Sequence, residues 1–517
     1  MSEMILLPDR LRAIAQERPD ALALRYRAHS QTYGELVEAI DHAGAAFHGA
    51  GLKPGDRVAL CAGNSLDYIA VALGAAFSGL SFVPLPTRIQ PVDCAQMIID
   101  AECKAIVTDD ATRSLTAEIL TSCGPFEVTK KFALDFEEEG WTSWSDALAV
   151  TSESHRYQVT PQTEFNIIYT SGTTGVPKGI RHDHNYRAAS SSGMAAYAAL
   201  SNESISILPT SLYGNWGLFG VFSSLWGGGA SIIYDRFGME EFEALCRDEA
   251  PTHFFFVPAQ IRKLVKDPAF GTARNGCEAL KFSAGSPLSI DMKKEVIERW
   301  PGGLADVYGM TEGAPSAILF VEDHLDKIES VGSVFGMDAI VLAIDEEGQK
   351  LPTSQVGEIG GRNSMMTEGY LKKTEATKAL FWYDEDGKKY IRSGDMGYVD
   401  DDGFLFITDR KKDLIITGGF NVFPIDLETV LMRHNDVEEA TVIGIADDRW
   451  GETPVACIVR RPESTASIDE IREWTNERLG KVQRISKVFE VQALPRNHMG
   501  KVLKAEVKKA YTDQNFT

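Results

Sequence analysis

The sequence predicts an α/β fold: a large N-terminal domain of helix-covered β-sheets, followed by a small mobile α+β C-terminal domain. Three observations predict it. Short apolar runs alternate with amphipathic stretches through about residue 400, a pattern that requires parallel strands covered by helices. After about Asp409 the texture changes, and the charge cluster DRKKDLI follows the apolar run FLFITD directly. The chain has 517 residues, 44% hydrophobic and 24% charged, enough for more than one domain and a large buried core.

The elements follow in order. Thr32 to Gly49 carries apolar residues at helical spacing, Gly55 and Asp56 make a turn, and Arg57 to Cys61 reads as a strand. A helix starts near Leu66; FVPLP is a strand, PVDCAQMIIDA a helix and CKAIVTD a strand. Tyr68 to Thr87 is uncharged and long enough to cross a bilayer. Gly74, Ser78, Gly79 and Ser81 dilute it and Pro84 and Pro86 break it, so a buried helix and strand are expected and no membrane span. Strand patterns return at ISILPT, ASIIYD, THFFFVPA and ALKFSAG, with FNIIY before them. Beyond residue 409 come the strands EEATVIGIAD, TPVACIVRR and SKVFEVQAL, a helix in SIDEIREWTNERLG and a final helix KVLKAEVKKAY. The expected boundaries are 1–409 for the large domain, 410–413 for a hinge and 414–517 for the small domain, which has a typical domain size.

Composition excludes several function classes. A net charge of −22 opposes general binding to nucleic acid, while leaving room for a local basic patch. The seven cysteines are odd in number, irregularly spaced and without a C-x-x-C pair, which predicts reduced thiols and neither a disulfide frame nor a zinc site. MSEMILLPDR lacks a basic start followed by a long apolar core, so no signal peptide and a cytoplasmic location are expected. His182 and His184 form an H-x-H without an apparent third ligand; Asp183 or Asn185 capping a helix is the expectation there.

Chemistry concentrates in a few loops. After FNIIY, the stretch YTSGTTGVPKG places Gly172, Gly175 and Gly179 among Thr170, Ser171, Thr173, Thr174 and Lys178. Glycines free the backbone, hydroxyls add donors and the lysine adds charge, a set that suits phosphate oxygens and also occurs in solvated loops. It is not a P-loop, because Ile180 and Arg181 follow Gly179. KFSAGSPLS, VYGMTEGAP, YIRSGDMGYVDDDGFLFITDRKKDLI, TGGFNVFPIDLE and PRNHMGKVLK follow.

In that order these stretches resemble the motifs of the adenylate-forming (AMP-binding) superfamily, in its acyl-/aryl-CoA synthetase (carboxylate–CoA ligase) branch, and the resemblance covers nearly the whole chain. It implies ATP, Mg²⁺ and coenzyme A as co-substrates and cofactor. The loop Thr170–Gly175 with Lys178 would hold the phosphates. Ser283, Ala284, Gly285, Ser286 and Pro287 would approach adenine and the acyl group, with Ala284 where glycine is common. Asp306, Val307, Tyr308, Gly309 and Met310 would line the nucleotide, Thr311 would meet the α-phosphate and Glu312 would hold the metal. Asp395 would accept the ribose hydroxyls, supported by Ile407 and Arg410, and the chain would hinge at Lys412. Gly418, Gly419 and Phe420 would line the pantetheine tunnel, and Lys501 would bridge the attacking carboxylate and the α-phosphate.

The implied reaction has two steps: adenylation of a carboxylic acid with loss of pyrophosphate, then transfer of the acyl group to CoA. Tyr213, Asn215, Trp216, Ala284, Val307 and Gly309 are the expected acyl-pocket residues, although an apolar stripe such as LPTSLYGNWGLFG also suits a plain core. No histidine follows Pro209, where the family usually has one. Val307 at the pocket floor implies intermediate room, and an aromatic acid of hydroxycinnamate or benzoate type is expected ahead of a medium-chain, long-chain or alicyclic acid. The expected partners are small molecules, with the protein a monomer or homodimer. Phosphotransfer giving ADP and non-catalytic nucleotide binding are the competing readings; Lys178, Glu312, Asp395 and Lys501 are all present.

Overall fold

The computed structural model describes residues 5–149, 157–170, 177–235, 237–267, 270, 278–336, 339–345, 347–417, 420–447, 449–496 and 501–513. By compactness the chain forms two units, Met1–Val341 with Gly361–Arg392, and Leu342–Gly360 with Ser393–Thr517.

The first unit holds two large sheets. One has nine strands in the order Ser333–Val334, Ser316–Phe320, Leu304–Gly309, Leu280–Ala284, His253–Phe256, Ile205–Leu208, Ala230–Ile233, Leu22–Tyr26, His29–Thr32. From Leu304–Gly309 to Leu22–Tyr26 the strands run parallel, and antiparallel strands close both edges. The other has seven strands in the order Thr142–Ser143, Lys130–Ala133, Ala105–Thr108, Arg57–Cys61, Ser81–Pro84, Glu164–Thr170, Lys178–Asp183; only the last pairs antiparallel.

Local chemistry explains the elements. Thr32 and Glu35 form a capping box that starts the helix Tyr33–Gly49. The uncharged run becomes the helix Leu66–Phe77, buried from Tyr68 onward, then the buried strand Ser81–Pro84. Among the described residues no helix is long and apolar enough to cross a membrane. Six cysteines are described, all buried and free.

In the second unit, Ile415–Thr417 pairs with Phe420–Val422 and with Gly451–Arg460, which also pairs with Val437–Asp447 and, in parallel, with Lys487–Glu490. Alternate residues of Gly451–Arg460 feed two cores: Ala456 and Ile458 join Ile415, Leu427 and Ile471, whereas Val455 and Cys457 join Ile443, Phe489 and Val507. The last helix is Lys504–Thr512, three residues later than the sequence pattern suggests, because Val502 bridges back to Arg496 before the helix begins. Lys501 therefore stands on an antiparallel return, not on the helix. The strand Lys389–Val399 contributes to both units: its start pairs with Phe381–Tyr383, and Asp395–Val399 pairs with Leu405–Arg410.

Candidate active site

In the first unit the strands Glu164–Thr170 and Lys178–Asp183 pair antiparallel with Thr170 opposite Lys178. Ser171, Gly172, Thr173, Thr174 and Gly175, between them, lie outside the described residues. The Lys178 ammonium stands 4.9 Å from the centroid of the Tyr370 ring, a cation–π distance. The Tyr370 hydroxyl donates to Glu312 Oε1 at 2.7 Å. Burial, with Glu312 adding to it, raises the Tyr370 pKa, so the phenol stays a donor. Lysine, phenol and carboxylate thus form one chain of contacts.

Backbone bonds fix that chain. Leu371 N–H donates to the Gly179 carbonyl at 2.8 Å and Thr367 N–H to the Glu312 carbonyl at 2.9 Å. The segment 367–371 thereby ties the lysine strand to the Glu312 turn. The turn needs glycine at 313: its φ is +102°, and a Cβ there would stand 1.5 Å from the Met365 carbonyl oxygen. Asn363 Nδ2 donates to the Gly313 carbonyl at 2.8 Å and holds the same turn.

Strand Leu304–Gly309 delivers the turn. Its burial falls from Leu304, Ala305 and Asp306 to half-buried Val307 and Tyr308 and exposed Gly309; Met310 and Thr311 are half-buried. The Asp306 carboxylate is engaged by Lys293 at 2.8 Å, and the same ammonium donates to the carbonyls of Ile328 and Ser330. Burial outweighs this ion pair and raises the Asp306 pKa. Its side chain thus anchors the helix Ile290–Arg299. Val307 stands opposite Ala284 on the adjacent strand Leu280–Ala284. Ser283 and Ala284 are buried, Ser286 is half-buried, and Gly285 and Pro287 are exposed.

Trp216 is half-buried on the helix Asn215–Gly227, stacks on Phe219 at 5.4 Å and lies 5.7 Å from Phe255. Its indole N–H donates to the Phe256 carbonyl at 3.0 Å, which fixes the ring. Tyr213 is buried and Asn215 half-buried.

The H-x-H histidines are engaged otherwise. Asp183 caps the helix His184–Tyr197 by accepting the Tyr186 N–H at 2.7 Å, as the sequence suggested. His184 Nε2 donates to the Ala76 carbonyl at 3.2 Å. His182 Nε2 donates to the Thr311 carbonyl at 2.7 Å.

In the second unit Asp395 and Arg410 are opposite each other in register, with Arg410 Nε 3.1 Å from Asp395 Oδ1. Asp395 is buried, whereas the Arg410 side chain is 42% exposed. Ile407 pairs with Gly397. Asp409 accepts the N–H groups of Arg410 at 2.6 Å and Ile425 at 3.1 Å, and burial pushes its carboxyl up to about 6. Lys412, the expected hinge position, lies in a short 3₁₀ turn, Lys411–Asp413, and Lys411 reaches Glu358 at 3.0 Å. Gly418 and Gly419 lie outside the described residues, between two strands that pair Thr417 with Phe420. Phe420 is 60% exposed, and Lys501 is half-buried.

Two residues escaped the sequence reading. Tyr370, in TEGYLKK, belongs to no pattern of chemical residues. Arg187 lies in a run of small residues, YRAASSS, where a buried cation is unexpected, and that contrast was the available signal.

Comparison with known proteins places this geometry. The AMP-binding enzyme family model matches residues 11–371, and the model of the AMP-binding enzyme C-terminal domain matches residues 426–501. The chain belongs to the AMP-binding enzyme family and is an adenylate-forming acid–thiol ligase. It is 29% identical over 492 residues to 4-coumarate-CoA ligase 1 of Narcissus pseudonarcissus, covering 92% of this chain and 88% of that one. It is 29% identical over 513 residues to the fatty acid–[acyl-carrier-protein] ligase ScoC of Streptomyces coeruleorubidus, covering 96% and 94%. The ATP-bound crystal structure of MatB from Rhodopseudomonas palustris is similar with a TM-score of 0.88 and 28% identity, covering 98% of this chain and 99% of that one.

Proposed function

We propose that the protein is an AMP-forming carboxylate–CoA ligase whose substrate is an aromatic acid of hydroxycinnamate or benzoate type. The observation that carries the ligase reading is the contact chain Lys178–Tyr370–Glu312, directly beside Thr311. It sets a fixed cation and a fixed carboxylate on either side of one phenol, where a triphosphate and its counter-ion need them.

The substrate carboxylate attacks the α-phosphorus of ATP; the new P–O bond forms and the bond to pyrophosphate breaks. Lys178 and Lys501 offset the repulsion between carboxylate and triphosphate. Glu312 fits Mg²⁺, since its carboxylate is buried, preorganised by Tyr370 and hard in its donor atoms. When bound, the ion neutralises triphosphate charge. Asp395, steadied by Arg410, accepts the ribose hydroxyls. In the second step the CoA thiol, giving up its proton, attacks the acyl carbonyl and AMP leaves. Lys412, in the hinge 410–413 between the domains 1–409 and 414–517, serves as the pivot between the two steps, and Gly418 and Gly419 leave room for the pantetheine arm.

The fixed indole of Trp216 with Phe219 and Phe255, and the small Ala284 and Val307, support a flat aromatic acid. The 4-coumarate relative points the same way. A fatty or alicyclic acid is the second reading, favoured by the fatty-acid ligase relative and by the apolar helix Asn215–Gly227.

The test uses purified protein with ATP, Mg²⁺, CoA and a panel of acids from acetate through octanoate and cyclohexanecarboxylate to benzoates and hydroxycinnamates. AMP and one aromatic thioester are expected by chromatography and mass. A fatty acyl thioester would establish the second reading. ADP would make the protein a phosphotransferase, and pyrophosphate without thioester would exclude CoA as acceptor.

A further inference from the structure

Arg187, on the helix His184–Tyr197, is fully buried. Among the described residues none of its hydrogen-bond partners is a carboxylate. Its Nε–H donates to Asn166 Oδ1 at 2.9 Å and its Nη2–H to His182 Nδ1 at 3.0 Å. The rings of Tyr186, Phe222 and Phe165 surround the guanidinium at 5.3, 5.7 and 6.0 Å. Nη1 has no hydrogen-bond partner among the described residues. Burying a cation this way is costly, and an apolar side chain would fill the space without that cost.

What the arginine does is fix an imidazole. A guanidinium has only donors, so His182 Nδ1 must be the acceptor and the proton of the neutral ring sits on Nε2. That N–H meets the Thr311 carbonyl at 2.7 Å, and the Tyr186 hydroxyl donates to the same oxygen at 3.2 Å. The His182 and Tyr186 rings stack at 3.7 Å, which fixes the imidazole plane. Burial, and Arg187 after it, depress the His182 pKa well below its ordinary value, so the ring stays neutral near pH 7. Burial pulls Arg187 down to about 10, which leaves it cationic there.

We propose that Arg187 is a positioning residue for nucleotide binding: through His182 it clamps the Thr311 carbonyl and so holds Thr311 and Glu312 in place. The inference rests on the proposed role of these two residues in holding ATP and its metal. Asn166 is the far anchor, standing on the strand that leads to Thr170. The relay Asn166–Arg187–His182–Thr311 therefore ties the strand before the glycine loop to the Thr311–Glu312 turn.

The test measures ATP binding to the full chain by calorimetry, with Mg²⁺ and with EDTA. Arg187→Leu and His182→Phe should each weaken Mg·ATP binding about 10–100-fold, the range seen when a residue supporting a metal ligand is lost. ATP binding in EDTA should fall less, because without the metal only the Thr311 contact to the nucleotide is lost. The double variant should be no weaker than the weaker single one, since both act through one bond. Arg187→Lys should fall between, because an ammonium keeps the charge but lacks the planar fork that meets Asn166 and His182 together. A merely structural arginine predicts lower thermal stability with Mg·ATP affinity unchanged, or losses that multiply in the double variant; either result overturns the proposal. If Arg187→Leu does not fold, the cycle of Arg187→Lys with His182→Phe carries the same test. Wild-type protein that binds no Mg·ATP would sink the ligase reading instead.

Discussion

In the first unit a fully buried cation, Arg187, is held by an amide, a neutral imidazole and aromatic faces; in the second a buried anion, Asp395, is held by an arginine that is itself 42% exposed. The first arrangement has no solvent to replace a lost partner, so its geometry is fixed before any ligand arrives. The second has one member in water, so the guanidinium can leave the pair for solvent, while the buried carboxylate needs another donor in its place. On the proposed reading the ribose hydroxyls supply that donor to Asp395, whereas Thr311 and Glu312 are held in place before any ligand arrives. A rigid corner for phosphate and metal in the first unit thus stands, on that reading, against a second unit able to re-pair.

The largest expected effect sharpens that division. Lys501→Ala should lower adenylation, read as acid-dependent pyrophosphate–ATP exchange, by about 10²–10³-fold. Thioester formation from supplied acyl-adenylate should be spared. Equal loss in both half-reactions would put Lys501 in both and erase the division.

Acid should act on the two units with opposite sign. His184 is buried and neutral, with its pKa depressed to about 4 by burial. Its contribution is present above the ordinary pKa near 6.5 and is lost as pH falls through about 4, on the order of 3 kcal/mol in all. Urea unfolding of the full chain followed in the first unit should show that slope between pH 6.5 and 4, reduced in His184→Phe. Asp409 runs the other way. Its pKa is raised to about 6 by burial, so its contribution is present below the ordinary pKa near 4 and lost as pH rises through 6. Asp409→Asn keeps an oxygen for the Ile425 N–H and should stabilise the second unit at pH 7 by up to about 3 kcal/mol. A variant no more stable than wild type at pH 7 would remove the contrast.

The smallest effect concerns the acid. Trp216→Ala should shift preference toward bulkier acids, with kcat/KM for a hydroxycinnamate falling roughly 10–100-fold, within the range for a lost pocket contact. An unchanged profile would make Trp216 a core residue held by Phe256, the alternative left open by the sequence.

Elements governed by local chemistry were legible in the sequence. Thr32 with Glu35, Asp183 before a helix and the short apolar run Arg57–Cys61 after the Gly55–Asp56 turn carry their own instructions. The start of the final helix was misplaced because Val502 pairs with Arg496, and nothing local to KVLKAEV announces that partner. The site divides along the same line. Lys178, Glu312, Asp395 and Arg410 stood out by motif, but the ion pairs Asp306–Lys293 and Asp395–Arg410 and the Tyr370–Glu312 bond join residues from separate segments. Arg187 stood in plain view in YRAASSS, yet its role depends on Asn166 and His182, which only the folded sheet brings to it.

The central claim, attack of a carboxylate on the α-phosphorus, has a direct test. An acid that the panel shows to be turned over is labelled with ¹⁸O in its carboxylate and incubated with the enzyme, ATP, Mg²⁺ and CoA. The account predicts one ¹⁸O in the phosphate of the AMP formed, because the bridging oxygen leaves with AMP when the thiol attacks. Label in inorganic phosphate, or AMP without label, would contradict it.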